Sequence, residues 1–408
     1  MTQINKADLV NSKIKSEEKL RIHFMGVGGS GVKGVYDLAS KMGYIVSGCD
    51  LKTGGHDVNH LKDTDLLVVS PAVLFQNNTH PEYAEAKKKD IAMTWEDFLG
   101  NNLLKDKKVI AIAGTHGKST TTAMAGKLLV DAGFDPIVVL GATVPEWSGN
   151  SKFGKGDYAI VEADEFNNNF LNYHPEIIVI NNIEFDHPDF FEDEKQIFES
   201  FDKFVDNLIG IKILITQKNS LNKHFNLKII GEHNQKNANM VYLLGIALGI
   251  EEKIIKKSLE EFKGIGRRLE LLGISKSGFS VYDDYAHHPT AIKTTLDGVR
   301  ENFPDKKIWV VIEAHGYKRT SKLLNQYKNV FENVDGVIIG PIFKARDKET
   351  FGMNADKIAK ISAHKNVFAT ERLEDLIKFV KNNVKQNEIV IVMGAGESDQ
   401  WAQKLLQV

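Results

Sequence analysis

The residues Gly114-Thr115-His116-Gly117-Lys118-Ser119-Thr120-Thr121 carry the most specific chemistry in the chain. A phosphate needs backbone N–H donors at a helix N-terminus, glycines that let it approach, and a lysine to match its charge. A hydroxyl beside that lysine can ligate Mg2+, so the segment reads as a site for the triphosphate of ATP. The spacing departs from the full phosphate-loop pattern, whose first glycine would fall on Ile112. A second glycine run, Gly26-Val27-Gly28-Gly29-Ser30-Gly31, is followed by Asp50, 19 residues after Gly31. In that spacing the loop holds a diphosphate and the acid meets a ribose hydroxyl. It leaves open NAD or FAD, another nucleotide, or a plain tight turn.

Two acidic segments, Glu162-Ala163-Asp164-Glu165 and Glu184-Phe185-Asp186-His187, fall where strands should end. Strand ends of an open parallel sheet face the ligand crevice, where carboxylates and a histidine can complete a Mg2+ shell; solvated loop charge is the other reading. Three further clusters stand at strand ends or just before helices: Gly231-Glu232-His233-Asn234-Gln235-Lys236-Asn237, Asp283-Asp284-Tyr285-Ala286-His287-His288-Pro289, and His315-Gly316-Tyr317-Lys318-Arg319-Thr320. Adjacent residues on an extended segment point opposite ways, which disfavours a chelate by His287 and His288. Lys318 and Arg319 also admit a reading as solvated surface.

Short β-branched runs alternating with amphipathic stretches must position these groups, and that rhythm predicts an α/β chain with parallel sheets covered by helices. Strands are predicted at 21–25, 45–48 and 66–70, with helices at 31–42 and 81–89, in a first unit ending near 104. A second unit opens with a strand at 109–114 and a helix from 118 to 132. Strands at 158–163, 177–182 and 212–216 follow, then helices at 234–248 and 251–262. Gly264 and Gly266 mark a linker. Strands at 279–285, 308–314, 336–341, 367–370 and 388–394 make a third unit.

A length of 408 residues implies two or three domains at roughly 150 residues each. With 42% hydrophobic and 26% charged residues, disorder is excluded as the main state. Lys and Arg number 52 against 54 Asp and Glu, a net charge of −2, so no global field recruits nucleic acid or an anionic membrane. The single Cys49 excludes an internal disulfide and a cysteine-based metal site, fits a reducing cytoplasm, and reads as a buried small hydrophobe at a strand end. The first twenty residues lack the apolar core of a signal peptide, and no apolar run approaches the ~18 residues of a membrane span.

Taken in order, GTHGKSTTT, VEADE, NNIEFDH, GEHNQKNA, RRLEL, DDYAHHPTAI, HGYKRT and MGAGE resemble the Mur ligases of peptidoglycan synthesis. The resemblance runs from about residue 20 to 408 and comes nearest to the branch that adds L-alanine to UDP-N-acetylmuramate. It implies a Rossmann-like UDP-binding domain over 1–104, a central ATPase-like domain over 105–267, and a Rossmann-like domain presenting the amino acid over 268–408. It also implies an ATP-driven ligation through an acyl phosphate, which makes NAD improbable for the first glycine loop. Carried over, Gly114, Thr115, His116, Gly117, Lys118, Ser119, Thr120, Asn234, Arg268 and Asp284 would bind ATP. Ser119, Glu162 and His187 would hold Mg2+. Gly26, Gly28, Gly29, Ser30, Gly31, Asp50, His56 and Ser70 would take the UDP-sugar, and His288, His315, Tyr317 and Arg319 the amino acid. Lys118, Glu162, His187 and Arg319 would be catalytic. Third-domain contacts to ATP imply assembly by domain closure. The implied protein is cytoplasmic, a monomer or weak homodimer, with UDP-N-acetylmuramate and a small amino acid as partners and neither nucleic acid nor membrane insertion.

The chain departs from this pattern in three places. Gly316 stands where the resemblance implies an arginine that helps hold the amino acid carboxylate, which throws recognition onto Arg319 or means a different amino acid. The segment DLKTGGH from Asp50 to His56 is short, implying one helix missing beside the UDP site. RRLEL and NNIEFDH are more like the relative that attaches a recycled tripeptide, whereas Tyr317, Arg319-Thr320 and MGAGE favour alanine. The tripeptide ligase and a nucleotide-binding regulatory homologue without ligase chemistry remain the alternatives.

Overall fold

A computed structural model describes residues 19–51, 54–188, 190–219 and 221–408. The polar opening segment through residue 18, and Lys52 and Thr53 of the short DLKTGGH stretch, lie outside the described residues. Three sheets fall into two compact units. Of the described residues, those within 19–183, 198–221 and 238–259 make the first unit, and those within 184–197, 222–237 and 260–408 the second.

The first sheet is built from β1 (Arg21–Met25), β2 (Ile45–Cys49), β3 (Leu66–Val69) and β4 (Ala92–Thr94), all parallel, in the order β2-β1-β3-β4. β1 lies between β2 and β3, so the chain winds out to β2 and then crosses back past β1 to β3, and the crevice at the end of β1 is where a doubly wound sheet binds ligands. Among the described residues, β2 and β3 are joined through one 3-10 turn, Val58–Leu61, and no α-helix. That agrees with the short segment read from the sequence.

The second sheet contains β5 (Lys108–Ala113), β6 (Ile137–Val144), β7 (Gly149–Lys152), β8 (Tyr158–Glu162), β9 (Ile177–Ile180) and β10 (Ile213–Thr216), in the order β10-β9-β5-β8-β6-β7. β5 is buried from Val109 to Ala113, as a central parallel strand covered on both faces must be. Among the described residues of this sheet, only the β6–β7 pair is antiparallel. The helix Ser30–Lys41 of the first sheet packs on this hairpin, where Gly34 lies against the backbone of Asn150.

In the second unit, β11 (Glu270–Ile274), β12 (Ser280–Asp284), β13 (Ile308–Ile312), β14 (Gly336–Ile339), β15 (Val367–Ala369) and β16 (Ile389–Met393) form the order β11-β12-β16-β13-β14-β15. Among the described residues of this sheet, β11 alone runs antiparallel to its neighbour. One face buries Ile308, Val310, Ile312 and Met393 under the helix Pro289–Asn302; the other buries Trp309, Val311, Val392 and Trp401. No helix among the described residues is long and apolar enough to cross a membrane.

The first unit also buries Glu96, which is 1% exposed and pushed up to about 8 by loss of solvent. Its folded value lies above its unfolded value, so the native state retains a proton that the unfolded chain has released. Stability therefore falls as pH rises from about 4.5 to about 8. Glu96→Gln, which mimics the protonated acid, is expected to be more stable than the parent by about 3 kcal/mol at pH 7 and equal to it near pH 4. Urea midpoints that shift equally at both pH values would contradict this.

Candidate functional site

The second sheet turns at the end of β5 into the glycine loop and the helix Lys118–Asp131. Gly114 sits at φ +127°, and a Cβ there would come within 2.9 Å of the Asn182 carbonyl oxygen. Only glycine fits. Gly117 precedes the helix at φ +82°. The loop is braced from β9: Asn182 Oδ1 accepts the His116 N–H at 2.8 Å, and the Asn182 carbonyl accepts the Thr115 N–H at 3.1 Å. Asn181 Nδ2 donates to Thr121 Oγ1 at 2.9 Å. Thr120, Thr121 and Thr122 are buried, which seats the first turn of the helix inside the unit.

Lys118 Nζ donates to the Gly114 carbonyl at 2.7 Å and pairs with Glu165 Oε2 at 2.7 Å. Burial by itself would lower the lysine's pKa, but Glu165, Asp164 and Glu162 outweigh it and hold the ammonium above its usual value. Ser119 Oγ donates to Glu162 Oε1 at 3.0 Å, and the other carboxylate oxygen accepts the Gly141 N–H at 2.7 Å. Register places Glu162 opposite Ile112 at the end of β8, beside the loop. The result is a fixed cation, a hydroxyl and a carboxylate around a helix N-terminus, an arrangement able to grip a polyphosphate with a hard divalent cation.

At the end of β1, the Cys49 carbonyl accepts the N–H groups of Gly26 and Val27 at 2.8 and 3.1 Å. The Gly28 N–H donates to Asp50 Oδ2 at 3.1 Å, so the predicted acid does meet the loop. Gly29 precedes the helix that Ser30 opens, Gly31 packs against the Trp95 ring, and Ser70 ends β3 with its N–H on the Met25 carbonyl at 2.9 Å. The side chain of Ser30 lies outside the described residues. His56 Nδ1 stands 2.9 Å from Cys49 Sγ.

The remaining predicted residues belong to the second unit. Asp284 ends β12 and accepts the N–H groups of Leu269 and Ala286, each at 2.7 Å. Burial raises its carboxyl against the opposing pull of Arg268. The Arg268 guanidinium stands over the Tyr285 ring, 5.2 Å from its centre. Asn234 lies within the first turn of the helix Glu232–Ala247 rather than ahead of it, its Nδ2 donating to the Ile230 carbonyl at 2.7 Å. His288 caps the helix Pro289–Asn302 by accepting the Thr290 N–H, while His287 Nδ1 sits 2.9 Å from the Tyr285 carbonyl. Their partners differ, as expected for neighbours on extended chain. His315 packs against the Phe343 ring, and Tyr317 opens the helix Tyr317–Leu323.

Arg319 is not solvated surface. Its Nε and Nη2 grip both oxygens of Asp186 at 2.8 and 2.9 Å, and Nη1 reaches the His287 carbonyl at 3.3 Å. Burial would raise the Asp186 carboxyl, yet Arg319 and His187 hold it well below the usual range. His187 follows at φ +54°, its N–H on Asp186 Oδ1 at 2.7 Å. Gly316 has φ +76° and ψ 126°, a conformation that strains any residue with a Cβ. Glycine takes it without that strain.

The structure adds Asn182, Glu165 as the partner of Lys118, Asp186 as the partner of Arg319, and Glu313, to which the sequence motifs gave no such role. Glu313 follows β13 and accepts the Gly396 and Glu397 N–H groups at 2.7 and 2.8 Å, which shapes the MGAGE loop. The available signal was an acid or amide ending a buried apolar run.

Comparison with known proteins places the same segments in one family. The description "Mur ligase family, catalytic domain" matches residues 21–105, "Mur ligase middle domain" 112–223, and "Mur ligase, glutamate ligase domain" 267–396. The chain is 31% identical, over an alignment 448 positions long, to UDP-N-acetylmuramate--L-alanine ligase of Aquifex aeolicus, covering 95% of this chain and 97% of the relative. It is 32% identical to the protein of that name from Acetivibrio thermocellus, covering 92% and 93%. Among solved structures, UDP-N-acetylmuramate-alanine ligase of Thermotoga maritima superposes with TM-score 0.77 at 23% identity, covering 95% of this chain and 98% of that one. A murein peptide ligase from Psychrobacter arcticus gives 0.68 at 23% identity, with the same coverage.

Proposed function

The chain belongs to the Mur ligase family, and we propose that it joins an amino acid, L-alanine, to the carboxylate of UDP-N-acetylmuramate at the expense of ATP. The observation that carries this reading is the loop from Gly114 to Ser119, with Lys118 Nζ and Ser119 Oγ both held on carboxylates at the end of β8 and just beyond it. In the proposed reaction the sugar carboxylate attacks the γ-phosphorus and ADP departs, leaving an acyl phosphate. The amino group then attacks the acyl carbon and inorganic phosphate is expelled.

Lys118, opening the buried helix, is proposed to bind the β and γ phosphates and offset the charge that develops on the transferring group. Ser119 Oγ and Glu162 are hard oxygen donors 3.0 Å apart, a pair that fits Mg2+; His187 is proposed at a second ion. When bound, the ions would supply charge neutralisation on the phosphoryl oxygens. Asn234, Arg268 and Asp284 are proposed to reach ATP. Gly26, Gly28, Asp50, His56 and Ser70 are proposed to orient the UDP-sugar, and His288, His315, Tyr317 and Arg319 the amino acid. Arg319, with Nε and Nη2 on Asp186 and Nη1 on the His287 carbonyl, is proposed to present its positive charge to a substrate carboxylate. Domain boundaries near 104 and 267, a cytoplasmic location and a monomer or weak homodimer complete the proposal.

Phosphate release measured with UDP-N-acetylmuramate, ATP, Mg2+ and a panel of amino acids plus the tripeptide L-alanyl-γ-D-glutamyl-meso-diaminopimelate is the direct test. L-Alanine is expected to give the highest rate. Turnover with the tripeptide alone would move the chain to the peptide-recycling reaction, and silence across the panel would sink the ligase reading.

A further inference from the structure

One face of the first sheet carries a buried cluster that the ligase chemistry does not use. Alternation along β1 and β2, with His23 paired to Ser47 and Met25 to Cys49, puts His23 and Cys49 on the same side of the sheet. The 3-10 turn Val58–Leu61 adds His60, and the helix Pro81–Lys88 adds Glu82 from its first turn. Glu82 is wholly buried, at 0% exposure. Its Oε1 stands 3.3 Å from His23 Nε2 and 3.2 Å from His60 Nδ1, and its two oxygens lie 3.8 and 3.7 Å from Cys49 Sγ.

His23 is 3% exposed and is oriented through Nδ1, 2.8 Å from Ser47 Oγ, which aims Nε2 into the cluster, where it makes no hydrogen bond among the described residues. The basic groups within ion-pair distance of Glu82 among the described residues are imidazoles, with neither lysine nor arginine. A fully buried carboxylate facing such groups favours a cation among them.

We propose that His23, Cys49, His60 and Glu82 form a structural site for a tetrahedral divalent transition cation of the zinc class. The four ligand atoms lie within 4.8 Å of one another. Metal–N and metal–O bonds of about 2.0–2.1 Å and a metal–S bond of about 2.3 Å put tetrahedral ligands roughly 3.3–3.6 Å apart. The Glu82 contacts already have nearly that spacing, so small side-chain rotations close the shell. Two nitrogens, one sulfur and one oxygen select zinc-like ions over Mg2+, whose preference is for oxygen. Cys49 alone could not build a site; the histidines and Glu82 do. On binding, the thiol proton leaves to solvent as the sulfur becomes a thiolate ligand. The ion would pin β1, β2, the 3-10 turn and the helix together directly beneath the first glycine loop, whose Gly26 N–H rests on the carbonyl of Cys49 itself.

The test uses the untagged full-length chain, stripped by chelator and titrated with Zn2+ against a chromophoric competitor, with Co2+ as the spectroscopic probe. One tight Zn2+ per chain is expected, together with a raised unfolding temperature and a sulfur-to-cobalt charge-transfer band in the Co2+ form. Cys49→Ser should erase that band. Cys49→Ser and His23→Gln should each weaken Zn2+ binding by at least the 10- to 100-fold typical of losing even an outer-shell partner. Absence of the band in the wild-type Co2+ protein would overturn the proposal without any variant. So would Zn2+ affinity unchanged in both variants, which would place the ion elsewhere.

Discussion

Lys118→Ala is expected to reduce phosphate release by about 10²–10³-fold or more, the loss that follows removal of a single preorganised charge-stabilising group at a reacting centre. The ammonium is the fixed cation at the mouth of the glycine loop, supported by the Gly114 carbonyl and Glu165. UDP-sugar binding should persist, because the proposed UDP loop sits on a different sheet and is held by Cys49 and Asp50. Glu165 is 1% exposed and would lose its lysine in this variant. The double variant Lys118→Ala, Glu165→Gln removes both charges and separates a folding defect from a chemical one. Isothermal titration with the UDP-sugar and single-turnover phosphate release supply the two readouts. Turnover retained in both variants would show that the loop does not carry the phosphoryl group.

Asp186→Ala should have the largest effect on stability. It leaves the Arg319 guanidinium, a side chain buried to 9% exposure, without the carboxylate that accepts two of its N–H groups at 2.8 and 2.9 Å. Breaking such a pair from one side costs about 3–5 kcal/mol, because the remaining charge stays desolvated. The double variant Asp186→Ala, Arg319→Leu removes both charges and is expected to recover most of that loss. The native carboxyl is held well below its unfolded value, so its contribution is present above about pH 4 and is lost only as pH falls through the lower, folded value. Urea unfolding at pH 7 measures both effects. A single variant within about 1 kcal/mol of the parent would show that the pair is not structural.

The backbone rhythm was legible in sequence because it rests on local physics. Most of the parallel strands buried on both faces read as unbroken apolar runs, and the glycine loops declare themselves through residues that tolerate positive φ and close approach. The strand predicted at 109–114 is β5, and the helix predicted from Lys118 is observed from Lys118 to Asp131. β4, β6, β7 and β11 went unread, β6 although it opens on the buried apolar run Ile137–Leu140. β7 and β11 form antiparallel edges whose residues lack a continuous apolar run, and β4 is three residues long. Helix Glu194–Asp206 was passed over although its apolar residues follow a helical period.

The types of groups at the site were likewise readable: a lysine after two glycines, acids at strand ends, histidines before a helix. Their partners were not. Lys118 chooses Glu165, Asn182 braces His116, and Arg319 reaches Asp186 across 133 residues of chain. Cys49, read as a buried small hydrophobe at a strand end, is buried in an apolar cluster at the end of β2, and it also stands beside His56, His60, His23 and Glu82. Such pairings depend on which strands are neighbours in a sheet and on which face each side chain emerges. Strand order is set by long-range packing that no local spacing encodes. The sequence by itself determined the loops, the elements and the chemical repertoire; tertiary structure decided which charges meet, because desolvation makes a buried group's partner part of its chemistry.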